Sequence, residues 1–125
     1  MVQRLEEILG SSIQEYTPNA IKFEGLSLVK LEQLIEEKCT SRTSSFNAAP
    51  SVGAFVEFGH RCESHGATAT FDGVAFAKPD NPDLVVDTIT VIGVQDLDFA
   101  GEFVRFAWGC DELDINSQML FAWWD

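Results

Sequence analysis

The chain has 125 residues, 46% of them apolar, and a formal net charge of −12 from 20 acidic and 8 basic side chains. That length makes one domain with room for a sizeable core, and that apolar content excludes a disordered chain. The charge excludes nucleic acid as a partner, because counterion release needs clustered Lys and Arg, and it disfavours an anionic membrane surface.

An acidic surface keeps a protein soluble and also suits a basic protein partner. The three cysteines, Cys39, Cys62 and Cys110, are odd in number and widely spaced. They make no disulfide framework and point to a reducing cytoplasm. The first ten residues carry acidic groups where a signal peptide has its apolar core, and no run approaches the ~18 apolar residues of a membrane span.

Val2, Leu5, Ile8 and Leu9 recur at helical spacing and predict a short helix from Val2 to Leu9, ended by Gly10. Thr17-Pro18 reads as a helix start leading to a short turn through Phe23, with extended structure from Ala20 to Phe23 as the alternative. Ser27 to Lys38 is the clearest helix. Ser27 caps it, and Leu28, Leu31, Leu34 and Ile35 form its apolar stripe. Cys39 to Pro50 reads as an exposed connection anchored by Phe46.

Strands are expected from there to the end. The first runs from Ser51 to His60, and Arg61 to Gly66 is a turn. The second runs from Ala67 to Ala77, with Ala67, Ala69, Phe71, Ala75 and Ala77 on one face and Thr68, Thr70, Asp72, Val74 and Phe76 on the other. Asp72-Gly73 permits a hairpin turn, but its arms would be short, so one strand bent or bulged at Gly73 is preferred. Lys78 to Asp83, KPDNPD, is a turn. The third strand, Leu84 to Val94, and the fourth, Phe99 to Trp108, meet at the polar corner Gln95–Asp98. Gly109 to Glu112 turns into a last strand, Leu113 to Trp124.

The resulting class is α+β: N-terminal helices packed on a curved, mainly antiparallel sheet of about five strands in meander order, with a small α+β barrel as the close variant. The single domain divides into a helical stretch 1–38, a loop 39–50 and a sheet 51–125. Two narrow helical stripes give little cover to strands apolar on both faces. The deficit predicts a barrel-like curl or a homodimer.

Several residue groups bear on function. His60, Cys62 and His65, with Glu57 and Glu63, sit together in EFGHRCESH. His-x-Cys-x-x-His matches no standard zinc spacing, and polar turn residues explain the group. No metal or other cofactor is expected. Glu57, Asp72, Asp87, Glu102 and Arg105 are charges inside apolar strands. They are either polar residues of a pocket or edge charges that block aggregation. Trp108, Phe121, Trp123 and Trp124 are candidate interface residues, because Trp is enriched at binding hot spots. Adjacent Trp123 and Trp124 should point to opposite faces.

No nucleophile elbow, phosphate loop or dinucleotide fingerprint is present. The expected function is therefore non-enzymatic binding through an aromatic sheet face or an acidic surface. The alternative is a small-molecule-binding protein or small enzyme, with a small apolar ligand in a pocket enclosed by the curved sheet and lined by the strand carboxylates.

Overall fold

A computed structural model describes residues 2–76 and 83–125. Helix α1 (Val2–Leu9) and a 3-10 turn lead into the hairpin β1 (Ile13–Tyr16) and β2 (Ala20–Ser27). Helices α2 (Leu28–Glu36) and α3 (Val52–Ser64) follow, then strands β3 (Thr68–Phe76) and β4 (Asp83–Ile92). Helix α4 (Leu97–Phe106) and the hairpin β5 (Glu112–Ile115) and β6 (Met119–Trp123) complete the chain. The strands form one antiparallel sheet in the order β1-β2-β3-β4-β6-β5. The sheet is open, not a barrel, and the class is α+β with helices packed on a sheet.

Two expected strands are helices. Ser51 to His60 lies almost wholly in α3, and Phe99 to Trp108 largely in α4. Both segments contain two periods at once. Val52, Ala54, Val56 and Phe58 alternate as in a strand, but Val52, Phe55, Val56, Gly59 and Cys62 follow helical spacing, and all five of these are buried. Capping decides between the periods. The Ser51 hydroxyl accepts from Ala54 N–H, and Asp96 caps α4 by accepting from Asp98 N–H. The first amides of α3 are also held from outside, since Val52 N–H donates to Ser44 C=O and Gly53 N–H to Arg42 C=O.

Other expectations shift in smaller ways. The stretch expected to be helical, 1–38, contains β1 and β2, and Thr17-Pro18 opens their turn, not a helix; Thr17 N–H donates to Ala20 C=O at 2.8 Å. Extended structure from Ala20 is the alternative that holds. The stretch expected to be all sheet, 51–125, contains α3 and α4. Residues 39–50 are anchored rather than wholly exposed: Cys39, Thr40 and Ala49 are buried, and Thr40 Oγ1 donates to Leu84 C=O at 2.7 Å. The last strand is two strands, broken at Asn116, whose side chain accepts from Gln118 and Met119 N–H. Most of the Lys78–Asp83 turn lies outside the described residues.

The helices cover one face of the sheet. Leu28, Leu31 and Leu34 of α2 are buried, as the stripe predicts. Phe55 of α3 lies edge-on to Phe71 of β3, Phe106 of α4 and Trp124, with ring centroids 6.0, 5.5 and 5.5 Å apart. Phe58 stacks on Phe99 and Phe106. Close approach of α3 depends on a small residue: a methyl on Gly59 would sit 2.9 Å from Leu28 and 3.3 Å from the Phe71 ring. The shortage of cover inferred from the sequence is thus met on this face by α3 and α4.

Candidate functional site

Among the described residues no helix packs on the other face. Strand register assigns its members, because directly paired residues share a face. Lys22 pairs with Val74, Ala20 with Phe76, and Val74 with Val85. Asp72 pairs with Thr88, Thr88 with Trp123 and Thr90 with Phe121. Trp123 pairs with Glu112, and Phe121 with Asp114. Apolar groups thus stand beside carboxylates and threonines across this face.

A bulge shapes the centre of this surface. Asp72 pairs with Thr88 but Gly73 pairs with Val86, so Asp87 is the extra residue in β4. The Asp87 carbonyl accepts from Trp124 N–H at 2.9 Å. The bulge reverses the alternation of β4 at its midpoint. Leu84 and Val86 before it, and Ile89 and Val91 after it, all enter the helix-side core, while Val85 is buried on the opposite face.

Asp72 and Asp87 are half-buried carboxylates beside this bulge. Asp72 accepts from Gly25 N–H at 2.9 Å, and Asp87 accepts from Thr88 Oγ1 at 2.8 Å. Burial raises the pKa of both above the ordinary carboxylate value. The charges of Glu24 and Asp87 raise Asp72 further, while Lys22 opposes the shift of Asp87.

The remaining candidate polar residues stand elsewhere. Glu57 is on the solvent side of α3, 3.5 Å from Arg42. Glu102 of α4 accepts twice from Arg61 Nη2, at 2.6 and 2.8 Å, tying α4 to α3. Arg105 is exposed near the end of α4. Of the five charges, only Asp72 and Asp87 come together, and the others are helical surface charges rather than charges within strands.

The four aromatic candidates also divide. Phe121 and Trp123 are half-buried on the helix-free face, Trp124 is buried in the core, and Trp108 stands 84% exposed after α4, away from both. His60, Cys62 and His65 lie at the end of α3 instead of in a turn between strands. His60 Nε2 lies 3.0 Å from Glu32, His65 packs on Phe99, and Cys62 points into the core, where burial pushes its thiol up to about 12. Among the described residues no three His, Cys, Asp or Glu side chains are grouped to hold a metal ion. All three cysteines are free thiols.

Charge is distributed unevenly between the two sides. On the helical side several carboxylates have basic partners: Glu7 and Glu37 with Arg4, Glu57 with Arg42, Glu102 with Arg61, and Glu32 with His60. The helix-free face carries Glu15, Glu24, Asp72, Asp87, Glu112 and Asp114. Among the described residues its one base is Lys22, 3.5 Å from Glu15. Sequence reading missed Glu15, Glu24, Glu112, Asp114 and Lys22 as site residues. Nothing local marks them, and they join the face only through the pairing of distant strands.

A separate groove of about 210 Å³ lies between the start of α4 and the β5–β6 turn. Val94, Leu97, Ala100, Ile115 and Leu120 are among its lining residues. Drug-sized ligand pockets run from about 300 to 1,000 Å³, and none of the five candidate charges lines this groove.

The architecture defines the chain as a two-layer α+β protein with one helix-free, acidic and partly aromatic sheet face. The chain matches no family model, no curated protein and no solved structure in comparisons with each. No helix among the described residues is long and apolar enough to cross a membrane.

Proposed function

We propose that the chain is a non-enzymatic binding protein that docks a basic protein partner on its helix-free sheet face. One observation carries this reading: the aromatic surface and an acidic surface that has a single base among the described residues are the same surface. Val74, Phe76, Phe121 and Trp123 supply apolar contact. Glu24, Asp72, Asp87, Glu112 and Asp114 surround them, and the one base of the face among the described residues, Lys22, sits beside Glu15. Complementary charge steers encounter and rejects wrong partners, and aromatic groups at the centre of such a patch provide hot spots.

A second copy of the chain is the competing occupant. A homodimer through this face would bury the same aromatic residues, but it would also bring Glu112, Asp114, Asp72 and Asp87 of both copies together. A basic partner removes that repulsion. The three free thiols suit a reducing compartment such as the cytoplasm.

Photo-crosslinking in the cell of origin tests the reading. A crosslinking side chain at Thr90 reports on the helix-free face and one at Glu36 on the helical face. Adducts from Thr90 with proteins of high isoelectric point, reduced by added salt, are expected. Adducts from Glu36 alone, or a Thr90 adduct that is only a second copy of this chain, would overturn it.

A further inference from the structure

Strand β5 is an edge of the sheet and, among the described residues, pairs with β6 alone. All four of its residues are exposed. Asn116 N–H donates to Met119 C=O at 3.1 Å at the closed end of the hairpin. Antiparallel ladder bonds fall on every second residue, so in the continuous register from Glu112 to Ile115 it is Asp114 and Glu112 that bond to β6. Leu113 and Ile115 therefore direct their N–H and C=O groups outward, away from the sheet.

The side chains of this edge alternate in the opposite sense. Leu113 pairs with Ala122 and Ile115 with Leu120, both core residues, so Leu113 and Ile115 project to the helix side. No helix reaches over them, since each is 44% exposed, and Ile115 borders the groove shared with Val94, Leu97, Ala100 and Leu120. Glu112 and Asp114 project to the acidic face. At the other edge, the register of β1 with β2 is broken between Ile13 and Glu15, and Lys22 stands 3.5 Å from Glu15. Bulges and lysines are devices that blunt an edge, and β5 from Glu112 to Ile115 has neither.

We propose that β5 is an addition site for an extended, basic segment of a partner protein, whose alternate residues are apolar on the helix side and cationic on the open face. An added strand takes its hydrogen bonds from the outward backbone groups of Leu113 and Ile115, and its side-chain pattern mirrors that of β5. Its apolar residues cover Leu113 and Ile115 and extend over the groove, and its Lys or Arg residues face Glu112 and Asp114. The same carboxylates decide against a second copy, because two β5 strands paired edge to edge would set like charges side by side. The inference rests on the reading of the partner as basic and adds the conformation and residue pattern of the docking segment.

The test uses the full chain and two fluorescein-labelled peptides of identical composition, one alternating Lys and Val over eight residues and one with the same residues in two blocks. The alternating peptide is expected to bind at least tenfold more tightly. In amide exchange, Leu113 and Ile115 should exchange rapidly in the free protein and slow on binding, with Asp114 protected in both states. Leu113→Pro removes an outward N–H without touching the ladder to β6, a placement edge strands tolerate. It should weaken alternating-peptide binding at least tenfold while leaving thermal unfolding in place. Glu112→Gln with Asp114→Asn should weaken binding and flatten its salt dependence.

Equal binding of the two peptides, or unchanged exchange at Leu113 and Ile115 on binding, would overturn the proposal. The exchange measurement needs no variant and stands even if Leu113→Pro fails to fold. A wild-type dimer on sedimentation that Leu113→Pro dissolves would make a second copy the occupant and overturn it too. Thr90 crosslinks that persist in Leu113→Pro separate the two readings, since the edge can fail while the face holds.

Discussion

Trp123 and Trp124 are neighbours in the chain and belong to different sides of the sheet. Trp124 is buried among Phe55 and Phe106, with ring centroids 5.5 and 6.3 Å away. Trp123 is half-buried beside Thr88 and Glu112 on the helix-free face. On the helical side, close ring packing excludes water and several surface carboxylates have basic partners. On the other side, apolar groups stand among six carboxylates that share one base, Lys22, among the described residues, and two of those carboxylates are themselves partly desolvated. The first arrangement serves stability and the second is costly unless something binds there. The difference separates what holds the fold from what the fold presents.

The most severe way to break this division is at the bulge that creates it. Gly73→Ala would place a methyl group 2.0 Å from the Val85 carbonyl oxygen and 2.8 Å from the Phe23 ring. The nearer obstacle is backbone in a paired strand and cannot rotate away. We expect a loss above about 4 kcal/mol, in the range reserved for specific structural failures, read as loss of cooperative unfolding. A soluble variant with a near-native melting curve would show that β3 and β4 separate easily at the bulge.

The paired tryptophans sharpen the comparison. Trp124→Ala should cost about 3–5 kcal/mol, as for a buried large aromatic, and Leu31→Ala or Leu34→Ala about 2–5 kcal/mol. Trp123→Ala should cost only about 1 kcal/mol, the centre of the distribution for point substitutions. Its larger effect should be on partner capture from the Thr90 position. Denaturant titration measures all four, and equal losses at Trp123 and Trp124 would mean that the helix-free face is a second core.

These sites also mark what sequence reading reached. The α2 helix was legible because its apolar period is unambiguous and Ser27 caps it. The strand from Thr68 to Phe76 was legible with the correct face assignment, but the bulge expected in it at Gly73 lies in its neighbour, at Asp87 of β4, while β3 alternates without interruption. The segments of α3 and α4 were misread because Phe and Val at mixed spacing satisfy both a period of 2 and one of 3.6, and only the caps at Ser51 and Asp96 separate them. In β4 the bulge at one residue, Asp87, shifts the parity of all that follows, and the apolar run from Leu84 to Val94 does not mark where that shift falls. Asp72, Asp87, Phe121 and Trp123 were legible as unusual residues. That they share one face depends on pairings between residues distant in the chain, such as Asp72 with Thr88 and Thr88 with Trp123, which no local pattern encodes.

The smallest expected effects are the most diagnostic, because the two sides should respond to pH with opposite signs. On the helical side, Arg4 and Gln33 donate to the Glu37 carboxylate, and these hydrogen bonds hold its pKa below the ordinary value. A depressed pKa contributes stability above the unfolded value that is lost as pH falls through the folded one. Glu37→Gln should therefore destabilise slightly at neutral pH and become neutral in acid. On the helix-free face, burial holds Asp72 above the ordinary value. The folded protein then takes up its proton first, so the carboxylate opposes folding at neutral pH, and that opposition is relieved as pH falls from the raised value to the unfolded one. Asp72→Asn keeps an oxygen to accept from Gly25 N–H and removes the charge. It should stabilise at neutral pH, with the gain shrinking to nothing in acid. Urea titrations of both variants and the wild type at several pH values from neutral to about 3, below the ordinary range of free Asp and Glu side chains, measure the two slopes. Slopes of the same sign would mean that Asp72 is paired with a cation in solution, and the helix-free face would lose the uncompensated charge on which the proposed docking role depends.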